Sequence, residues 1–226
     1  MKHNPEPNEA KSDSFDQADP AESVPMADPT PVETAETPAP KKRNKALETV
    51  ETIVVAVLLA VVIRAVVAEA RFIPSGSMLP TLQIGDRLIV EKVSYYFTDP
   101  DRGEIVVFYP PLPGQAELTS QQRFMRWLGF TTESAYIKRV IGLPGETVMV
   151  SNGVVYINDK PLTEDYIQAP PYSDMAPITV PSDAYFMMGD NRNNSRDSRV
   201  WGTLPRKNVI GRTFLRFWPL STLGSP

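Results

Sequence analysis

The sequence predicts a mostly β protein with three parts: a disordered N-terminal tail, a single transmembrane helix and a compact antiparallel β domain. Three observations support this prediction. The first 40 residues are acidic and rich in proline, one long apolar run follows them, and the remainder consists of short β-branched and aromatic segments separated by Gly, Pro, Asn and Asp. We place the parts at residues 1–40, 41–70 and 71–226.

The tail has the composition of a disordered segment. Residues 1–40 hold nine acidic residues, two lysines and eight prolines, and Phe15 is their only aromatic residue. Such a segment cannot bury enough apolar surface to offset its loss of chain entropy. It has no arginine, so it resembles neither an organellar transit peptide nor the basic start of a signal peptide. The net charge of −4 therefore divides into about −7 in the tail and about +3 in the rest.

A basic cluster and an apolar helix come next. Four of the residues 41–45 are basic, and the seventeen-residue run Thr52–Ala68 contains a single charge, Arg64. At about 1.5 Å per residue the run is about 25 Å long, which suits a short membrane span. The positive-inside rule places the basic cluster in the cytoplasm and the chain after Ala68 outside. Arg64 lies close enough to the outer end for its side chain to reach the interface.

Two other interpretations of the apolar run stay open. It could be a buried core helix. It could also belong to a cleavable signal peptide, with the apolar core Ile53–Ile63 and a small-residue site at Ala68-Glu69-Ala70. The long leader and Arg64 argue against a signal peptide. Self-cleavage at this site is an open question that the N-terminus of the active chain would answer.

The remainder of the chain has the composition of β-structure. The hairpin signal is Ser151-Asn152-Gly153, since a tight turn of type I′ needs positive φ values that Asn-Gly supplies. We expect no further helix and find no internal repeat. The predicted strands are Arg87–Val93, Glu104–Tyr109, Tyr136–Ile141, Thr147–Val150, Val154–Ile157 and Ala184–Met188.

The composition excludes several kinds of catalytic site. The chain has no cysteine, and its single histidine, His3, lies in the tail. A thiol nucleophile, an imidazole base and a Cys- or His-based metal site are therefore excluded, and we expect no metal and no cofactor. Acid–base chemistry must use Lys, Asp, Glu or Tyr.

The first polar cluster follows the apolar helix closely. In Pro74–Leu82, Ser75 and Ser77 flank Gly76, so the backbone can bend and present one hydroxyl beside a neighbouring N–H or hydroxyl. An acyl-transfer nucleophile next to an oxyanion site needs this arrangement. Taken alone, the tripeptide is also typical of a simple turn.

The second cluster places a lysine in an apolar strand. Lys138 can project towards the core while Ile137 and Arg139 point the other way. To act as a base it must be neutral, which requires its pKa to fall by roughly two to three units through burial. A solvated Lys-Arg pair is the alternative interpretation, but a serine hydrolase in this chain has no histidine to use.

The third cluster is the polar segment Gly189–Gly202. A calcium-binding loop is rejected because Arg192, Ser195 and Trp201 occupy positions where that pattern needs other residues. The alternating charges and amides favour a hydrogen-bonded supporting loop, with close opposite charges fixing its shape. A plain surface loop is the other interpretation.

Four sequence blocks together resemble a known family. IPSGSMLPTL after the apolar helix, then GDRLIVEK, YIKRVIGLPGE and GDNRNNSRDSRVWG, form the ordered motif set of type I signal peptidases of the bacterial type. These are membrane-bound Ser/Lys endopeptidases that remove signal peptides from exported proteins. The resemblance runs from about Val50 to Trp201. Some members have a large insertion before the last block; here only 42 residues separate Glu146 from Gly189, so the resemblance implies a small cap.

The resemblance implies a role for each site residue. Ser77 would be the nucleophile, Lys138 its general base, Ser75 an oxyanion donor and Ser195 the residue that orients the lysine. The implied supporting ion pairs are Asp190 with Arg139 and Asp197 with Arg199. The resemblance also implies shallow apolar pockets that give specificity for Ala-x-Ala-like sites. The residues that would line them are Ile73, Leu82, Val107 and Ile137.

The implied partners are signal-peptide-bearing preproteins, the lipid bilayer and, as a further partner, the protein-export machinery, but no nucleic acid. The implied location is the inner (plasma) membrane, with the N-terminus cytoplasmic and the catalytic domain extracytoplasmic. Pro110–Ser134 holds five large apolar residues without strand alternation, which either enter the outer leaflet or pack on the core. They are Phe124, Met125, Trp127, Leu128 and Phe130.

Other functions remain to be distinguished. A Ser/Lys self-cleaving repressor would need a DNA-binding module, and an acidic tail is unsuited to DNA. An organellar processing peptidase is disfavoured by the composition of the tail. The main alternative is a non-catalytic, membrane-tethered β-domain that binds a surface partner, for which Ser77→Ala would change nothing measurable.

Overall fold

The computed structural model describes residues 44–111, 118–128 and 134–226, and these residues are mostly antiparallel β, which confirms the predicted fold class. Predictions about residues 1–43 and about Phe130 lie outside the described residues.

The described residues form three α-helices, a π-helical turn and eleven strands, besides short 3-10 turns. The helices are α1 Lys45–Val62, α2 Ser120–Trp127 and α3 Ser198–Trp201, and the π-helical turn Ile63–Val67 continues α1. The strands are β1 Ala68–Phe72, β2 Arg87–Glu91, β3 Ile105–Phe108, β4 Tyr136–Gly142, β5 Thr147–Ser151, β6 Val154–Ile157, β7 Lys160–Pro161, β8 Met175–Thr179, β9 Ala184–Met188, β10 Leu204–Pro205 and β11 Val209–Trp218.

The strands form two antiparallel sheets. The larger sheet has the order β1-β2-β11-β3-β4-β9-β10, and the smaller has the order β7-β6-β5-β8. The ten-residue strand β11 pairs with both β2 and β3, and its register shifts at three places. Because each bulge bends and twists a strand, these shifts let the large sheet curl.

Three clusters of buried side chains stabilise this arrangement. One joins the small sheet to β4 and β9 around Ile141, Val148 and Phe186. The second lies around Phe108, Val140 and Trp201. The third cluster surrounds the first polar motif of the sequence and contains Ile73, Met78, Leu82, Leu88 and Ile105.

Helix α1 exposes its apolar side chains. None of its residues is buried, although its centre is made of Val, Leu, Ile and Ala. The helical segment Lys45–Val67 has 23 residues and is long and apolar enough to cross a membrane. A helix that is hydrophobic around its whole circumference needs an apolar environment. The alternative of a buried core helix is therefore wrong.

The end of the apolar helix is fixed to the β-domain by Lys92. The Lys92 ammonium donates to the carbonyl oxygen of Arg64 at 2.9 Å and forms an ion pair with Glu69 at 3.0 Å. The Lys92 backbone N–H donates to the carbonyl of Val67 at 2.9 Å. These bonds satisfy carbonyl groups that the last turn of a helix leaves without partners. We call this group of contacts the helix joint.

The site Ala68-Glu69-Ala70 lies in β1. Each of its residues pairs with β2, and the Glu69 side chain is buried between Lys92 and Arg71. Cleavage here would require β1 to leave the sheet.

All six predicted strands are present, with ends that differ by at most two residues from the predicted ones. The Asn-Gly hairpin is also present, with φ values of 49° at Asn152 and 77° at Gly153. The expectation of no second helix was wrong, because α2 follows the apolar span. A capping box starts α2, in which Thr119 and Gln122 each accept a backbone N–H of the other.

Candidate active site

Ser77 lies in a tight turn directly after β1. The turn is the 3-10 segment Gly76–Met78, and the fully buried Met78 anchors it in the third core cluster. Ser75 precedes the turn with an extended backbone and an exposed side chain. Ser77 itself is 9% exposed, so its hydroxyl lies at the edge of the core.

Lys138 reaches Ser77 from β4. Its ammonium nitrogen donates to the Ser77 hydroxyl at 2.6 Å and to the Ile137 carbonyl at 2.8 Å. The strand pattern of the sequence predicts that Lys138 is buried, and it is 4% exposed. Burial lowers the pKa of Lys138 from 10.5 to about 8, against the opposing effect of the Asp197 and Asp190 carboxylates. At pH 7, Lys138 is therefore neutral in about a tenth of the molecules.

The two opposing carboxylates are themselves paired with arginines. Asp190 accepts two bonds from Arg139, at 2.8 and 2.6 Å, and Asp197 accepts two from Arg199, both at 2.8 Å. Both carboxylates are completely buried. Because each bidentate pair neutralises its carboxylate, neither aspartate can stabilise the Lys138 cation enough to offset its burial.

The polar loop after β9 holds the Ser77 turn by its backbone. The Asn191 backbone N–H donates to the Ser77 carbonyl at 3.1 Å, and the Asn191 amide donates to the Gly76 carbonyl at 3.0 Å. The nucleophile candidate is thus positioned by a loop more than 100 residues away in sequence.

Gly189 fills the space between the turn and the loop. Its N–H donates to Asp197 at 3.0 Å. A Cβ atom at this position would lie 2.3 Å from the Ser195 hydroxyl and 2.4 Å from the Ser77 carbonyl oxygen, which no side chain tolerates. Only glycine allows the Ser195 hydroxyl and the Ser77 carbonyl to lie this close to residue 189.

Ser195 lies beside this glycine, but it does not contact Lys138 by a hydrogen bond. Among the described residues its hydroxyl is buried and has no hydrogen-bond partner. The Lys138 nitrogen bonds Ser77 and Ile137 instead. Orientation of the lysine by Ser195 therefore stays a prediction.

The four predicted pocket residues lie together near Ser77. Ile73 and Leu82 belong to the third core cluster, and Ile137 packs against it. Val107 faces Ile137 across the β3–β4 pair. Ile73, Leu82 and Val107 are at most 3% exposed, so Ile137 is the most accessible of the four.

Sequence analysis missed a second layer of support beneath the polar loop. Arg192, 2% exposed, donates two hydrogen bonds to Glu164, at 2.6 and 2.5 Å. The Tyr166 hydroxyl also donates to Glu164 at 2.7 Å, and the Tyr166 ring lies 4.0 Å from the Arg139 guanidinium. The motif contains Arg192, but no sequence signal identifies Glu164 or Tyr166 as its partners.

Within the described ranges, no group of three or more acidic or histidine side chains is placed to hold a metal ion. The arrangement consists of a hydroxyl, a lysine of lowered pKa and two buried ion pairs. Chemically, it can activate a serine hydroxyl by proton transfer to an amine.

Comparisons with known proteins match the chain to a peptidase family. Residues 46–218 match the family described as signal peptidase, peptidase S26. The chain is 51% identical over 199 residues to signal peptidase I of Leptolyngbya laminosa, covering 87% of this chain and 93% of that protein. It is 40% identical over 166 residues to the chloroplast thylakoidal processing peptidase 1 of Arabidopsis thaliana, covering 74% of this chain and 46% of that protein.

A crystal structure of a signal peptidase I from Enterococcus faecalis is 30% identical to this chain. The match covers 51% of this chain and 97% of that one, with a TM-score of 0.39.

Proposed function

The chain belongs to the signal peptidase family, peptidase S26, and from this premise we propose that it cleaves preproteins with Ser77 as nucleophile and Lys138 as general base. Membership in the family makes the chain a serine peptidase that removes signal peptides. The observation that supports the assignment of the two residues is the 2.6 Å hydrogen bond between the Lys138 nitrogen and the Ser77 hydroxyl.

In the first half of the reaction, neutral Lys138 takes the Ser77 proton as the hydroxyl oxygen attacks the scissile carbonyl. The Ser75 hydroxyl and the Ser77 backbone N–H would donate to the oxyanion that forms. The first N–H groups of a helical turn have no intrahelical acceptor, so the Ser77 N–H suits this role. Lys138 then returns the proton to the leaving amine, and an acyl-enzyme remains.

In the second half, Lys138 deprotonates a water molecule that attacks the acyl-enzyme, and Ser77 regains its proton as the signal peptide leaves. The ion pairs of Asp190 and Asp197 would hold the loop that fixes the Ser77 turn. Each group that moves a proton belongs to the chain or to water.

The pocket residues support a preference for small side chains at the first and third positions before the cut. Ile73, Leu82 and Val107 are nearly inaccessible. They would therefore form the floor of a shallow pocket that admits Ala and has little space for a larger group. This is the basis on which we propose Ala-x-Ala-like sites.

The exposed apolar helix α1 supports a membrane anchor. We propose that the chain spans the inner (plasma) membrane once. The N-terminal tail, residues 1–40, would be cytoplasmic, and the peptidase domain, residues 71–226, would be extracytoplasmic. Because the substrate is also embedded in the bilayer, anchoring raises the effective concentration of the site at the scissile bond. The protein-export machinery is a proposed further partner.

The reaction is tested by incubating the detergent-solubilised chain with a preprotein bearing an Ala-x-Ala site and mapping the cut by mass spectrometry. We expect cleavage after the second alanine. A matched preprotein with Trp in place of that alanine should be cleaved at least about 100-fold more slowly, because a shallow pocket cannot accept the larger side chain. Equal cleavage of both substrates would refute the pocket assignment, and a folded chain that cleaves neither would favour the binding-domain alternative.

Activity should depend on pH through Lys138. Only the neutral amine can accept a proton, and its pKa is about 8. We therefore expect kcat/KM to rise with pH, to be half-maximal near pH 8 and to fall about tenfold per unit at lower pH. Initial rates with a fixed peptide substrate between pH 6 and pH 10 measure this profile.

The same pH profile tests whether Lys138 is the base. A profile that is flat from about pH 6.5 to about pH 9, or one whose midpoint lies near the ordinary lysine pKa of about 10.4, would mean that Lys138 is not the base. Thermal unfolding at each pH shows that the fold is intact across the range.

A further inference from the structure

A cavity formed by described residues lies away from the Ser77–Lys138 pair. Its volume is about 1010 Å³. It is bounded by Ala65 in the last helical turn before β1, by Glu69, by helix α2 and by the segment before β11. It therefore opens beside the point where the apolar helix enters the β-domain.

The cavity is strongly cationic. Among the described residues, five positively charged side chains line it against one carboxylate, that of Glu69, which gives a formal excess of four positive charges. Two of the five cations are in ion pairs, Lys92 with Glu69 at 3.0 Å and Arg206 with Asp99 at 2.9 Å, so the net positive charge is smaller than this formal count. The excess that remains favours an anionic ligand. The cations are Lys92, Arg123, Arg126, Arg206 and Lys207.

Aromatic side chains accompany these cations. Tyr95, Tyr96, Tyr109 and Trp127 line the same cavity, and the Arg126 guanidinium lies 3.6 Å from the centre of the Tyr109 ring. Tyr and Trp combined with Lys and Arg are the residues that proteins place at the level of lipid headgroups. The position of the cavity, at the end of an apolar helix, corresponds to that level.

Helix α2 presents an apolar surface at the cavity margin. Arg123, Arg126 and Trp127 of this helix line the cavity, and Phe124, Met125 and Trp127 are 53%, 40% and 48% exposed. The Phe124 and Trp127 rings stack at 6.0 Å. A cationic cavity edged by exposed apolar groups suits a ligand that carries both an anionic group and hydrocarbon.

We propose that this cavity binds the anionic headgroup of a phospholipid from the leaflet on the side of the β-domain. The phosphodiester would lie among the cations and the acyl chains would remain in the bilayer beside α1. The volume is sufficient for a headgroup with its glycerol. The inference rests on the membrane placement of α1 in the proposed function, and it does not rest on the peptidase chemistry.

The test uses the full chain in detergent and native mass spectrometry. The chain is mixed with equal amounts of phosphatidylglycerol and phosphatidylcholine with identical acyl chains, and the ratio of the two bound lipids is measured. The wild type should prefer phosphatidylglycerol. Lys207→Gln, in the cavity, should lower this preference about fivefold, and so should Arg123→Gln. Lys160→Gln is the matched control, because Lys160 is an exposed lysine outside the cavity.

Three outcomes would overturn the inference: no preference in the wild type, equal losses in Lys207→Gln and Lys160→Gln, or loss of the preference in excess inorganic phosphate. The last would indicate a site for a soluble anion. Cleavage of a water-soluble peptide is measured in parallel and should be unchanged in Lys207→Gln. If the wild type cleaves the peptide but does not prefer phosphatidylglycerol, only this inference is contradicted. If the wild type prefers phosphatidylglycerol but does not cleave the peptide, only the proposed function is contradicted.

Discussion

Ser77→Ala and Lys138→Met are each expected to lower kcat/KM for a preprotein by about 10⁴-fold or more. In the proposed mechanism, the first variant removes the atom that attacks the carbonyl, and the second removes the amine that is hydrogen-bonded to it at 2.6 Å. Groups that act as a unit in proton transfer and attack lose most of their effect when either is removed. Initial rates with the wild type and both variants measure the loss, and the double variant should lose little more than either single one.

Lys138→Met should at the same time stabilise the fold at neutral pH. The pKa of Lys138 is lowered to about 8 by burial, so in the folded state the proton is bound less tightly than in the unfolded state. This difference lowers the free energy of unfolding. The loss is fully present below pH 8 and disappears as the pH rises towards the pKa of the lysine in the unfolded chain. We expect the variant to gain about 1–3 kcal/mol of unfolding free energy at pH 7, and this gain to shrink above pH 8.

Thermal unfolding in detergent, followed by near-UV circular dichroism, compares the two variants. Ser77→Ala is the control, since it leaves the buried lysine in place and should show no such gain. A folded Lys138→Met variant that retains more than a tenth of wild-type activity would contradict the assignment of the base.

Gly189→Ala is expected to lower kcat/KM about 100-fold although residue 189 bears no reacting group. The added Cβ would lie 2.4 Å from the Ser77 carbonyl oxygen, so the backbone of the turn must move. A displacement of about 1 Å at a nucleophile costs roughly 10²-fold in rate. Overpacking should also cost about 1–3 kcal/mol of stability.

Gly142→Ala is the matched control for this variant. Its Cβ would lie 2.5 Å from a methyl group of Val148 and 2.9 Å from the Cβ of Phe186, in the core of the small sheet. We expect a similar loss of stability, with activity within about threefold of the wild type. If both variants lose activity in proportion to their stability, Gly189 has no special role in positioning Ser77.

The sequence predicts local features of this protein well. Lys138 lies in a mostly apolar strand, on the face opposite to Ile137 and Arg139, and this alternation correctly predicts its burial. The Asn152-Gly153 turn is encoded by two adjacent residues that accept positive φ. Helix α2 was the exception, since its eight residues are too few for a clear helical period even though a capping box marks its start.

Features that depend on long-range pairing were not predictable in the same way. The bond from Asn191 to the Ser77 turn joins residues more than 100 positions apart, and Arg192 meets Glu164 across 28 positions. Several carboxylates could satisfy such an arginine equally well, and only the completed fold selects one. The Asp190–Arg139 pair was expected from family resemblance alone, whereas the Asp197–Arg199 pair was expected from the neighbouring opposite charges as well; both are present in the structure.

The helix joint has a consequence for which substrates can be processed. Lys92 fastens the last carbonyl groups of the apolar helix to the β-domain, and β1 leads from there towards Ser77. In the single-span placement that we propose, the two parts therefore cannot slide independently along the membrane normal. Ser77, the proposed nucleophile, would then stay at one height above the bilayer. Selection of a cleavage site would depend on two separate variables: the size of the side chains before the cut, and the vertical distance at which a signal peptide presents them.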